Sequence, residues 1–291
     1  MNGAYRDRTS GITVACASDG NHGRSVAAGA ELFGCGCIIF LHEGVSRGRE
    51  RAIIALGASV IRTAGNYDDS VRAARNACEA HGWYLVSDTA DDPTERTPLL
   101  IMQGYATLVI ETLEQLCAEG EVFPSHVFLQ GGVGGLAAAV IAYLWETQGE
   151  SQTPIFVIVE PRRADCLYQS AARGRPTPAK GDLQTLMAGL ACGEVSRVAW
   201  PILWQGAEFF LAVEDSAAVE CMRLLYRGAP GQASIVAGES GVAGLAGLLA
   251  VVNDPSDGAR ALLRLDGAST VLLIGTEGAT DPEIFRSLVG A

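Results

Sequence analysis

Residues 12 to 34 read ITVACASDGNHGRSVAAGAELFG, from Ile12 to Gly34. Ile12 to Ala17 is a short apolar run with the character of a buried strand. Ser18 to Gly23 follows as a polar turn containing two glycines. A helix rich in small residues is expected from His22 to Phe33, stopped by Gly34. Strand, glycine turn and helix in that order form the repeating unit of a parallel α/β sheet.

The same alternation continues outward. Strands are expected at Cys37 to His42, Ser59 to Thr63 and Trp83 to Ser87, with helices at Arg47 to Leu56 and Asp68 to His81 between them. Asp88 to Pro98 carries two prolines and several acids and reads as a crossover. A long helix from Leu99 to Glu119 comes next. It is followed by a strand at Val127 to Gln130, a helix at Leu136 to Glu146 and a strand at Ile155 to Val159. Arg173 to Gly181 is a polar loop. Further on lie strands at Phe209 to Val213 and Val271 to Ile274, helices near Ala217 to Tyr226 and Gly241 to Val251, and a last helix from Pro282.

The expected organisation is an unstructured start over residues 1–10, a small α/β domain over 11–92 and a larger one over 93–291. A strand in a parallel sheet wants neighbours on both sides. Only about ten unpatterned residues precede the first one here, so the chain reads as if it begins within a fold.

Composition narrows the function classes. With 291 residues, 48% of them apolar and 19% charged, the chain is globular and long enough for two domains. A net charge of −12 with no Lys/Arg block argues against a nucleic-acid partner. The uncharged run from Val122 to Trp145 is broken by Pro124, His126, Gln130 and four glycines, so it reads as strand, loop and helix instead of a membrane span. The eight cysteines are scattered, and no signal-peptide pattern opens the chain. A reduced, cytoplasmic protein is expected. Cys35 and Cys37 read as thiols on a buried strand, since no second pair has metal-ligand spacing.

Two loops carry the chemistry. In Ala17-Ser-Asp-Gly-Asn-His-Gly23, the glycines and the helix N-terminus form a cradle for a carboxylate or phosphate. In Gln130-Gly-Gly-Val-Gly-Gly135, backbone amides could grip phosphate without a basic residue. The second loop has two readings. Gly132, Gly134 and Ala137 with Glu160 also satisfy the dinucleotide fingerprint and its ribose-binding acid, so NAD stays open on local pattern alone. Gly238-Glu-Ser-Gly241 and Gly275-Thr-Glu-Gly278 are weaker loops, each beside a strand or a helix.

In this order the loops resemble those of the fold-type II enzymes that use pyridoxal 5′-phosphate (PLP), the tryptophan synthase β superfamily. Ser18-Asp-Gly-Asn-His-Gly-Arg24, Ser87-Asp-Thr-Ala90, Ile101-Met-Gln-Gly-Tyr105, Val159-Glu-Pro161, Met187-Ala-Gly-Leu-Ala-Cys-Gly-Glu194 and Gly238-Glu-Ser-Gly241 are similar to diaminopropionate ammonia-lyases. The resemblance runs from about Ile12 to the C-terminus. It implies two parallel-sheet α/β domains with the cofactor site between them, the larger one incomplete, and a homodimer.

It also implies PLP bound to a lysine as a Schiff base and acting as an electron sink after α-proton removal. The β-amino group of 2,3-diaminopropionate would leave, and the aminoacrylate would hydrolyse to pyruvate and ammonia. By resemblance, Asn21 contacts the ring hydroxyl, and Gly131, Gly132, Val133, Gly134 and Gly135 hold the phosphate. Thr276 faces the pyridine nitrogen, where a neutral hydroxyl leaves that nitrogen largely unprotonated. Ser18, Gly20 and His22 bind the substrate. Asp19 and Asp88 serve as acid–base residues, with Asp88 near the substrate amine. The family lysine falls ahead of the DGNHG motif, but no lysine is found among the 18 residues before Asp19. Lys180 is the single lysine of the sequence and sits in a Pro/Gly loop. The expectation is a shortened lyase of little activity. A serine or threonine dehydratase, and a PLP-binding pseudoenzyme, are the alternatives.

Overall fold

The computed structural model describes residues 6–18, 20–90, 92–148 and 153–290. Along the chain run α1 (Arg6–Thr9), β1 (Thr13–Ala17), α2 (Asn21–Phe33), β2 (Gly36–His42), α3 (Arg47–Ile54), β3 (Ser59–Thr63), α4 (Tyr67–His81) and β4 (Tyr84–Leu85). Next come α5 (Arg96–Glu119), β5 (His126–Gln130), α6 (Gly135–Gln148), β6 (Ile155–Pro161), α7 (Cys166–Arg173), α8 (Trp200–Gly206), β7 (Phe209–Val213) and α9 (Asp215–Arg227). The run closes with α10 (Ala243–Val252), α11 (Gly258–Leu263), β8 (Val271–Leu273) and α12 (Pro282–Val289). No helix among the described residues is long and apolar enough to cross a membrane.

Two compact units result, one from residues up to Asp88 plus Ala279 onward, the other from Thr89 to Gly278. The sequence reading put the division at residue 92 and gave the C-terminal helix to the second unit. The difference has a side-chain cause. Asp281 bonds to Ser46, the N-cap of α3, and this ties α12 to the first unit. Residues 1–5 lie outside the described residues, and Arg6–Thr9 form a single helical turn where no structure was expected.

In the first unit the sheet order is β3-β2-β1-β4, with every pairing parallel. Cys16, Ile39, Leu41 and Ile53 form its core with the small residues Ala27 and Ala30, which let α2 lie close to the strands. β4 is shorter than the sequence suggested. The Val86 N–H still donates to the Ala15 carbonyl at 2.8 Å, and the chain then leaves the ladder toward Asp88.

The second unit repeats the plan as β7-β6-β5-β8, again all parallel. β5 is buried along its whole length, as expected of a strand covered by helices on both faces. Val127, Leu129, Phe156 and Ile158 meet Ile141 and Leu144 of α6 in the core. α5 starts at Arg96, ahead of the expected Leu99, because Pro98 falls in the first turn, where a missing N–H breaks no helical bond.

Both sheets therefore have the topology that creates a ligand crevice. The chain winds outward from β1 through β2 to β3, while β4 lies on the other side of β1. It winds outward from β5 through β6 to β7, while β8 lies on the other side of β5. Where winding reverses, the loops at the carboxyl ends part and leave a crevice. The sequence-identified loops after β1 and β5 sit at these reversal points.

Candidate functional site

In the first unit, the turn after β1 is fastened by one hydroxyl. Ser18 is 2% exposed, and its Oγ accepts the N–H groups of Gly20 at 2.9 Å and Gly23 at 2.7 Å. Ser18 thus does the work of an N-cap for α2. His22 Nε2 donates to the Val86 carbonyl at 2.7 Å, which joins the β1 turn to the end of β4. Asn21 opens α2 with an exposed side chain. Asp88 is half-buried just beyond β4, and the Tyr67 hydroxyl donates to its Oδ1 at 3.1 Å. Burial pushes the Cys16 thiol well above its ordinary pKa, and the negative charge of Asp88 adds to that. Asp19 lies outside the described residues. Ser18, Gly20, Asn21, His22 and Asp88 are thus drawn together around one reversal point.

In the second unit the loop after β5 is built differently. The N–H of Gly131 donates back to the Val159 carbonyl at 2.8 Å. From Gly132 to Leu136 the backbone N–H groups meet no protein acceptor among the described residues, and they stand at the start of the fourteen-residue helix α6. The loop is close-packed from behind. A Cβ on Gly131 would lie 2.8 Å from Ile158 Cγ2 and 2.9 Å from Leu167 Cδ1. Gly134 has φ +98°, and a Cβ there would lie 2.6 Å from Leu203 Cδ1. At Gly131 and Gly134, then, there is no room for a side chain. Unpaired amides at a helix N-terminus fit a phosphate ester, and the loop needs no cation to hold one.

Thr276 is exposed, just past β8 on the other side of the reversal point. Gln130, the last residue of β5, donates from Nε2 to Thr276 Oγ1 at 2.6 Å and to the Ile274 carbonyl at 3.0 Å. The two weaker loops join here. Glu277 Oε2 accepts the Ser240 N–H at 2.9 Å, and the Glu277 carbonyl accepts the Gly238 N–H at 2.8 Å. Ser240 Oγ accepts the Gly189 N–H at 2.9 Å. The segment Met187 to Glu194 then backs the glycine loop, since a Cβ on Gly132 would lie 3.3 Å from the Gly189 oxygen. Nearby, the Ser196 N–H donates to the Val133 carbonyl at 2.9 Å. Sequence reasoning gave this segment no structural role. Its glycines and its lack of periodicity were the available signal.

The dinucleotide reading fails at Glu160. This residue is fully buried, and its carboxylate caps α7, with Oε1 accepting the Leu167 N–H at 2.8 Å and Oε2 the Tyr168 N–H at 2.7 Å. Burial pushes the carboxyl well above the usual range, against the pull of those donors. No oxygen faces outward for a ribose hydroxyl.

Residues 2–267 match the family model described as pyridoxal-phosphate dependent enzyme. The diaminopropionate ammonia-lyase of Escherichia coli (strain K12) is 42% identical over 279 residues, covering 96% of this chain and 70% of the relative. A crystal structure of the E. coli enzyme with an aminoacrylate-PLP azomethine reaction intermediate superposes with a TM-score of 0.88 at 41% identity, over 96% of this chain and 71% of that one. The same enzyme in complex with D-serine gives 0.88 at 40% identity, over 96% and 70%.

Proposed function

This chain belongs to the diaminopropionate ammonia-lyase family of pyridoxal-phosphate-dependent enzymes, and we propose that it binds PLP through the loop after β5 and serves α,β-elimination of 2,3-diaminopropionate to pyruvate and ammonia. The observation that carries this reading is the set of N–H groups from Gly132 to Leu136 that meet no acceptor among the described residues, in the loop that follows β5 at the second reversal point.

Bound there, the cofactor supplies an electron sink for the carbanion left by α-proton removal. The protein's residues do the rest. Amides of Gly132, Val133, Gly134 and Gly135, with Gly131 fixing the turn, hold the phosphate. Thr276 offers a neutral hydroxyl to the ring nitrogen. By resemblance, Asn21 is assigned to the ring hydroxyl, and Ser18, Gly20 and His22 to the substrate. Asp88 moves a proton near the substrate amine, with the Tyr67 hydroxyl steadying its carboxylate. Asp19 is assigned the partner acid–base role by resemblance. A Schiff-base amine must be desolvated in a pocket. Lys180, the sole lysine of the sequence, is exposed, so no residue here is given that role.

The test uses the purified chain with pyridoxine 5′-phosphate, which lacks the aldehyde and needs no lysine, and separately with PLP and substrate. Saturable binding of the first is expected, with pyruvate released well below the common enzymatic range of about 1–1000 per second. Absence of binding would overturn the cofactor assignment, and an ordinary rate would overturn the expectation that no residue of this sequence supplies the Schiff-base amine. Relative rates on diaminopropionate, serine and threonine separate this reading from a dehydratase, the activity named by an L-threonine dehydratase of Haemophilus influenzae at 26% identity. A homodimer goes with the proposal, and light scattering would show it as twice the 30.4 kDa chain mass.

A further inference from the structure

Gln130 lies outside the glycine loop proper, yet its contacts bear on how that loop's ligand is recognised. It is 5% exposed and closes β5. Its amide can sit only one way round. Nε2 faces the Ile274 carbonyl at 3.0 Å, and a flipped amide would set two acceptor oxygens against each other. The same Nε2 donates to Thr276 Oγ1 at 2.6 Å. A hydroxyl has one hydrogen to give. The Gln130 nitrogen has no lone pair to receive it, so the Thr276 hydrogen must turn away from Gln130.

We infer that Gln130 is a positioning residue that fixes Thr276 as a hydrogen-bond donor, so that the site accepts a heteroaromatic nitrogen in its unprotonated form and disfavours the protonated ring. The inference rests on the reading of Thr276 as the partner of the cofactor's ring nitrogen. A donor bonded to the neutral ring stabilises the neutral form and lowers the affinity of that nitrogen for a proton. A second observation supports a role beyond packing. Among the described residues Gln130 Oε1 is buried without a hydrogen-bond partner. Leaving a buried acceptor without a donor is destabilising. A glutamine serving only to staple β5 to β8 needs the Ile274 bond alone. Its bond to Thr276 is the one that reaches the ligand side.

The experiment follows the ring nitrogen of ¹⁵N-labelled pyridoxine 5′-phosphate bound to the full chain, by ¹⁵N NMR across pH. In the wild type, the bound nitrogen should stay unprotonated to lower pH than in Thr276→Val, with at least a tenfold difference in proton affinity. Thr276→Ser should behave as wild type. Gln130→Glu offers only acceptors, so it should draw the Thr276 hydrogen to itself and raise the ring's proton affinity at least tenfold. Gln130→Met, of similar bulk and apolar, frees the hydroxyl rotor and should fall between the two. It decides the matter if the Glu variant fails to fold. A signal that moves with Thr276→Val but is the same in wild type and Gln130→Met overturns the role of Gln130 alone. A signal insensitive to Thr276→Val, or no saturable binding by wild type, overturns the reading of the site and this inference with it.

Discussion

After β1, the amides of Gly20 and Gly23 end on the hydroxyl of Ser18; after β5, the amides of Gly132 to Leu136 meet no acceptor among the described residues. The sheets share one topology, and both loops are glycine-bearing turns into a helix. One turn is closed by its own side chain and the other is left open. The same habit runs through the first unit. Ser46 caps α3, Asn66 caps α4 in a capping box with Asp69, and Asp281 caps α12. An unpaired helix N-terminus is a site for an anion, whereas a capped one is a structural joint that presents the side chains around it.

The largest expected effect breaks the open turn. Gly134→Ala puts a side chain at φ +98° and a methyl 2.6 Å from Leu203 Cδ1. Strain of about 1–3 kcal/mol in the loop should weaken pyridoxine 5′-phosphate by roughly ten- to a hundredfold. Fluorescence titration reads the loss. Unchanged affinity would mean the amides are not the anchor.

Closing the comparison from the other side gives the next effect. Ser18→Ala leaves two amides without their acceptor, and it should destabilise the first unit by about 1–2 kcal/mol. Affinity for the phosphate ester should stay within about twofold. Urea unfolding followed alongside the titration separates these outcomes, and a large loss of affinity would show that both turns grip the phosphate.

A smaller effect concerns pH. Burial raises the Asp281 pKa, but bonds from Ser46, Ile284 and Glu283, with the charge of Arg49, outweigh it and hold the carboxyl below its ordinary value. A depressed folded-state value contributes stability above the unfolded value of about 4 and loses it as pH falls through the folded one. Asn caps a helix as well as Asp, so Asp281→Asn loses only the charge and should cost about 0.3–1 kcal/mol at pH 7, and the gap to wild type should narrow below pH 4. Thermal melts at pH 7 and pH 3 check this, and a gap that widens in acid would reverse the sign. The smallest effect expected is that of Lys180→Ala. Removing this exposed amine should change cofactor affinity less than about twofold by the same titration.

Much of this was legible in the sequence, because alternating apolar runs and glycine stops mark parallel strands and their helices directly. The eight strands fall within a few residues of their expected places. The short helices α7, α8 and α11 were not legible, since fewer than three turns give little periodicity. Nor was the return of α12 to the first unit, because an amphipathic pattern records that one face is buried but not which sheet buries it. The two turns could be located, but what fills them could not be read. Ser18 in a polar motif looks like a ligand group, whereas its oxygen is already occupied by two amides. Gln130 looks like the end of a strand, and its 2.6 Å bond to Thr276 was not readable from the pattern. Glu160 fitted a ribose-binding acid by spacing, and burial at the head of α7 removes it from that role.

The most direct measurement compares the affinity of wild-type chain for pyridoxine 5′-phosphate with that for pyridoxine. Charge-assisted hydrogen bonds from the loop amides, each worth about 1.5–3 kcal/mol, should make the phosphate ester at least a hundredfold tighter. Equal affinities for the two ligands would contradict the assignment of the free amides after β5 as the phosphate anchor.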